Sequence, residues 1–230
     1  MSLSPTVPLQ SIVRARASDS AAAEWVERSA AAEGVDAFCN GYTAAPKHVG
    51  RAPLALTESE RAALIAVAPD LRCDRWTVDD AARAFLLLSA AQRLGPEAFV
   101  HLAIECYERG DSREQQSWLR GISLLPEADR FTAVAVDACR TNIVPLFEAI
   151  ACENPYPARY FPERQFNQLV LKALFNSIAL ARVVGLSTRV NADLSRMARD
   201  YAAERRAAAR PVPSDISMAM IDDPSQELAR

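Results

Sequence analysis

The chain has 230 residues, half of them apolar and 24% charged, with a net charge of -3 and a pI near 5.5. Such a chain is globular and long enough to bury a substantial core without disulfides or metals, which excludes disorder as its resting state. Its slightly acidic balance argues against nonspecific binding to nucleic acid or anionic lipid.

Residues 1–18, rich in Ser, Pro and Arg, read as a flexible segment without the apolar stretch of a secretory signal. With only 7 glycines and few alternating β-branched runs, there is little material for strands, whereas helix signals are plentiful. "TESERAALIAVA" opens with Thr57 as N-cap and Glu60 three residues on, a capping box that closes two otherwise unpaired backbone donors. "TVDDAARAFLLLSAAQRLG" repeats this logic, with Thr77 as cap, Asp79 and Asp80 in the first turn and Gly95 as the stop. Helices then follow at "PEAFVHLAIECYERGD", "SREQQSWLRGISLLP", "EADRFTAVAVDACRTN" and "IVPLFEAIACEN", where Pro145 is tolerated in a first turn. The last two are "FPERQFNQLVLKALFNSIALARVVGL" and a charged helix striped by Val190, Leu194, Met197 and Tyr201.

Short turns between helices favour antiparallel neighbours. Cys39, Cys73, Cys106 and Cys139 stand 34, 33 and 33 residues apart, and "LGPEAF" and "LLPEAD" each start a helix about one helix pair apart. The expected fold is therefore all-α: antiparallel helical hairpins stacked as an irregular HEAT/TPR-like solenoid, or a bundle. It is drawn as one helical domain over 19–210, followed by a flexible tail over 211–230. Ile216, Met218 and Met220 give that tail the alternative of a partner-binding peptide.

Chemistry-bearing motifs are sparse. There is no Gly-rich phosphate loop, no G-x-S-x-G and no H-E-x-x-H, and the five cysteines form no C-x-x-C pair, so neither a metal nor another cofactor is expected. The cysteines read as small buried hydrophobes in a reducing compartment. Of two histidines, His101 reads as structural and His48 as part of a loop. The most apolar long window, Leu169 to Leu186, is interrupted by Lys172, Asn176 and Arg182, so membrane insertion is not expected and the cytoplasm is the default.

The least ordinary run is "NPYPARYFPERQFNQLVLKALFN", Asn154 to Asn176. On a helix begun near Pro162, Gln165, Gln168, Lys172 and Asn176 share one face within about 80°. Apolar residues cover most of the remaining circumference, so the helix is expected to be buried and its polar stripe to need partners. Two readings are open: an internal network, or a polar-lined cleft walled by Tyr156, Arg159, Tyr160 and Phe161 around a small polar ligand. The ligand-binding set is then Tyr156, Arg159, Tyr160, Gln165, Gln168, Lys172 and Asn176, with no catalytic residue assigned.

"RTNIVPLFEAIACENPYPARYFPERQFNQLVLKALF" and "NADLSRMARDYAAERRAAAR" resemble the EboA-domain family, most strongly from Trp118 to Arg210. The resemblance implies an all-helical component of a bacterial metabolite-traffic gene set. It supplies a pathway and leaves this protein's task within it open. The first reading is a soluble, cytoplasmic, non-enzymatic accessory protein, a scaffold or carrier, that binds a small polar or lipid-linked metabolite, proteins of the same gene cluster, or both. The alternative is an enzyme of unrecognised type, with Lys172 as a desolvated amine or Glu153 working with Tyr156.

Overall fold

The computed structural model describes residues 4–17 and 19–221, and their regular structure is helical, so the fold is all-α. The helices are α1 (Thr6–Arg16), α2 (Ser20–Ala30), α3 (Val35–Val49), α4 (Glu58–Val67), α5 (Val78–Arg93), α6 (Pro96–Glu108) and α7 (Ser112–Gly121). They continue as α8 (Thr132–Ala138), α9 (Val144–Ala151), α10 (Tyr156–Tyr160), α11 (Glu163–Phe175), α12 (Leu186–Arg189) and α13 (Ala192–Ala207). Extended pairing among the described residues is limited to one isolated antiparallel bridge, Pro53 with Thr77. The chain divides into two compact units, Met1–Tyr156 and Pro157–Arg230. That division falls inside the single domain expected over 19–210.

Local chemistry sets many of the helix starts. Thr57 and Glu60 close a reciprocal capping box at α4, with Thr57 N donating to Glu60 Oε2 at 2.8 Å. Asp111 and Glu114 do the same at α7. Asn191 caps α13 by accepting from Leu194 N at 2.8 Å.

In the first unit α5 is the central helix, packed by α1, α2, α3, α6 and α7. Its buried residues run almost continuously from Val78 to Leu88, so all sides of the helix are covered. At Gly121 an added Cβ would lie 3.3 Å from Ala84 Cβ, so the absent side chain is what lets α7 approach α5 closely. The cysteine spacing marks no repeated position. Cys39 lies on α3, Cys73 in the loop before α5, Cys106 on α6 and Cys139 at the end of α8. Of these four, Cys39 and Cys106 meet, Sγ to Sγ at 3.5 Å. Cys39, Cys73, Cys106 and Cys152 are buried and Cys139 is half-buried.

Both ends carry helical structure. The N-terminal stretch read as flexible contains α1, which buries Leu9, Ile12 and Val13 and packs on α5. Pro8 is its third helical residue, where a backbone N–H would have no helical partner anyway, so the helix tolerates it. In the expected tail, residues 211–221 end in a 3₁₀ turn, Ile216–Ala219, that buries Ile216 and Ala219 and packs on α13. Asp215 fixes this turn by accepting from Leu180 N at 2.6 Å, and Ile221 N donates to Ser195 Oγ at 2.8 Å. Ile216 is thus engaged within its own unit. Residues 222–230 of the expected tail lie outside the described residues.

Candidate functional site

The Pro-aromatic corner is built from different contacts than its sequence suggested. In the first unit, Asn154 donates to Leu119 O at 2.8 Å and accepts from Tyr156 N at 3.0 Å. Tyr156 is 0% exposed, and its hydroxyl donates to Ala128 O at 2.5 Å. That hydroxyl is committed to holding the turn around Ala128, which leaves it poorly placed for the acid–base role considered with Glu153. In the second unit, Arg189 donates to Ala158 O and to Phe161 O (2.8 Å), and its guanidinium lies over the Phe166 ring at 4.7 Å. Arg189 thus satisfies two carbonyls of this corner.

The stripe itself is not sealed in the core. On α11 and its C-cap, Gln168 and Asn176 are exposed while Gln165 and Lys172 are half-buried. Arg159 and Tyr160 are also exposed. The inward polar residue of α11 is Asn167, one step around from Gln168, which exchanges amide hydrogen bonds with Asn191 at 3.1 and 3.0 Å. Of the polar set, Tyr156 belongs to one unit, and Arg159, Tyr160, Gln165, Gln168, Lys172 and Asn176 to the other.

The strongest buried polar cluster lies at the start of α5. Asp79 and Asp80 are 0% exposed and Arg83 is 1% exposed. Arg83 pairs with Asp79 Oδ2 at 2.7 Å, donates to Tyr42 O at 2.9 Å and to Ser117 Oγ at 3.1 Å, and lies over the Tyr42 ring. Asp80 accepts from Ser117 Oγ at 2.5 Å, Thr77 N at 2.9 Å and Arg120 at 3.0 Å. Two carboxylates thus meet two guanidiniums, so the cluster braces α3, α5 and α7 and its charge is balanced. Burial also pushes the Tyr42 hydroxyl well above its ordinary range and the Cys73 thiol up to about 12, which keeps both protonated.

An open groove lies elsewhere in the same unit. A groove of about 550 Å³ runs between α1 and α4. From the α1 side it is lined by Ser4, Val7, Pro8, Ser11 and Ile12, and from α4 by Ser59, Glu60, Ala63, Ala66 and Val67. Both sets follow helical spacing, so each helix turns one narrow face to the groove. The volume lies within the usual small-molecule range. Glu60 stands at its edge, clamped by Arg16 through Nη1–Oε1 at 2.7 Å and Nη2–Oε2 at 2.6 Å. That ion pair, with the Thr57 hydrogen bonds, holds the Glu60 carboxyl down at about 2.

Helix α4 is lightly anchored: Leu64 is its one buried residue, and Ile65 is 50% exposed. Across the groove, Val7 is 66% exposed. A second cleft, of about 250 Å³, between α1, α2 and α5 is bridged by its own residues. Gln10 donates to Glu27 at 3.0 Å, Gln92 to Thr6 at 3.1 Å and Arg93 to Ala30 O at 2.6 Å.

Among the described residues no cluster of His, Cys, Asp and Glu is disposed to hold a metal ion, and no helix is long and apolar enough to cross a membrane. His101 is exposed, with Nε2 3.9 Å from Glu105, and His48 stacks on Trp25 at 4.2 Å. The groove residues escaped the sequence reading, although Ser4, Val7, Pro8, Ser11 and Ile12 carry a plain three-four helical spacing.

A family model described as metabolite traffic protein EboA matches residues 9–221, nearly the whole chain, and the chain belongs to that family. No curated protein and no solved structure matches it.

Proposed function

We propose that this member of the metabolite traffic family is a carrier, which holds a partly apolar metabolite in the groove between α1 and α4 and passes it to proteins of its own pathway. The observation that carries the reading is the groove itself, a small-molecule-sized surface with apolar walls and hydroxyls at its rim. The polar clusters support it from the other side. Asp79, Asp80, Arg83 and Arg120 neutralise one another, and the Tyr156 hydroxyl is committed to Ala128 O. These groups serve the fold, and the carrier reading asks no chemistry of them.

The reading places the protein in the cytoplasm, beside the enzymes that make and use the metabolite. It assigns no ligand to Arg159, Tyr160, Gln165, Gln168, Lys172 or Asn176. Native mass spectrometry of the protein purified from its own host tests it, with the wild type compared with Ala63→Trp. Ala63 is exposed on the groove wall, so the indole fills the groove without entering the core. The expected result is a retained small molecule in the wild type and its loss in the variant. Equal retention in both, or none in the wild type, overturns the reading.

A further inference from the structure

We infer that the groove selects an uncharged amphiphile, with a hydrocarbon body and a neutral hydroxyl head, and rejects the carboxylate of the same chain length. This rests on the groove being the ligand site, and it adds the ligand's charge class.

The walls supply the first half of the argument. Val7, Pro8, Ile12, Ala63, Ala66 and Val67 offer carbon surface, so the body of the ligand gains by leaving water there. Among the described residues the only charged group in the lining is Glu60. Its two oxygens are held by both terminal nitrogens of Arg16, and Oε2 also accepts from Thr57 N. Arg16 is equally committed, because it donates to Glu60, Ala55 O and Ile12 O.

Among the described residues an anionic head finds no free cation lining the groove, and it faces an ionised carboxylate instead. Burying it near Glu60 combines desolvation with like-charge repulsion. A hydroxyl head meets neither penalty. The serine hydroxyls at the rim rotate to donate or accept as the head requires. Ser4 Oγ is 3.0 Å from Thr6 Oγ1 and Ser59 Oγ is 3.1 Å from Thr57 Oγ1, so both already belong to hydroxyl pairs that an alcohol can extend.

The weak anchoring of α4 gives such a ligand a way in. With Leu64 its one buried residue, α4 is held to α1 by the Arg16–Glu60 pair, so a small displacement of this helix widens the groove while α5 and the core stay in place.

The test uses the full chain and two probes, 1-dodecanol below its solubility limit and dodecanoate below its micelle-forming concentration, at about pH 7.5, with binding read by competition against a fluorescent apolar dye. The expected result is a dissociation constant at least about tenfold lower for the alcohol, which corresponds to one Coulombic and desolvation penalty of ordinary size. Ala63→Trp should weaken both probes by about tenfold or more. Glu60→Gln should narrow the gap between them, because Arg16 then lacks its carboxylate and takes that of dodecanoate. Gln keeps the N3 capping function of α4, and unchanged circular dichroism shows that the variant is folded.

Failure has distinct signatures. Binding of neither probe to the wild type, or binding untouched by Ala63→Trp, overturns the groove as the ligand site. Equal or tighter binding of dodecanoate by the wild type leaves the groove standing and overturns the charge class. A gap unchanged in Glu60→Gln overturns the selective role of the Arg16–Glu60 pair.

Discussion

Replacing Asp79 with Ala isolates the interaction that holds the first unit around α5. Asp79 is fully buried, with Oδ2 2.7 Å from Arg83 and Oδ1 accepting from Thr77 Oγ1 at 2.5 Å. Without it Arg83 keeps Tyr42 O, Ser117 Oγ and the Tyr42 ring, but its own countercharge is gone while the guanidinium stays buried. Breaking a buried pair in this way costs about 3–5 kcal/mol, a large fraction of the ~5–15 kcal/mol that stabilises a typical domain. At about 2–4 °C per kcal/mol for a chain of this size, the melting temperature should fall by roughly 6–20 °C.

Urea unfolding followed by tryptophan fluorescence reads this directly. Trp25, Trp76 and Trp118 are the chain's 3 tryptophans and all lie in the first unit. A paired replacement, Asp79→Leu with Arg83→Met, removes both charges and leaves the Asp80–Arg120 pair at 3.0 Å intact, so it should recover most of the loss. A loss below about 1 kcal/mol for Asp79→Ala, or a double variant as unstable as the single one, would refute the assignment of the pair as buried and mutually dependent.

Three other outcomes follow from the geometry. Asn191→Ala removes both the cap of α13 and the partner of Asn167, and should destabilise the second unit by about 2–3 kcal/mol, read as faster amide exchange in Ala192–Ala207. Gly185→Ala places a Cβ 2.6 Å from Ala158 Cβ at a φ of +74°, and should cost about 2–4 kcal/mol in thermal unfolding, whereas Gly95→Ala, with open space around it and a φ of -68°, should cost less. The third concerns pH. Glu60 titrates at about 2 in the fold against an ordinary 4.5, so its contribution is complete above the unfolded value and fades as pH falls toward 2. Amide protection in Glu58–Val67 should therefore hold steady from neutrality to about pH 5 and decline below it, and Glu60→Gln should flatten that decline.

How far the fold was legible depends on the range of the forces involved. The capping box of Thr57 and Glu60 and the start of α6 at Pro96 act within one turn, so the residues announce them directly. Helix α1 was hidden because Pro5, Pro8 and the serines suggested looseness, while its apolar spacing is expressed only once α5 offers a surface. Asp79 and Arg83 stand one turn apart and are visible as a pair, but Ser117 and Arg120, which complete the network, come from a distant helix.

The stripe on α11 shows what periodicity leaves open. Gln168 and Asn167 differ by one step around the helix, and the placement of Asn191 ahead of α13 decided which of them turned inward. Periodicity alone cannot make that choice. The groove was equally out of reach, because its two faces lie some fifty residues apart in sequence and neither carries a reactive motif.

Hydrogen exchange on the protein purified from its own host, before and after its small molecules are stripped, tests the carrier account most directly. The account predicts that the loaded protein is more protected in Thr6–Arg16 and Glu58–Val67, with Glu163–Phe175 unchanged. Protection that instead changes in Glu163–Phe175, around Gln168 and Lys172, and leaves α1 and α4 untouched would contradict it.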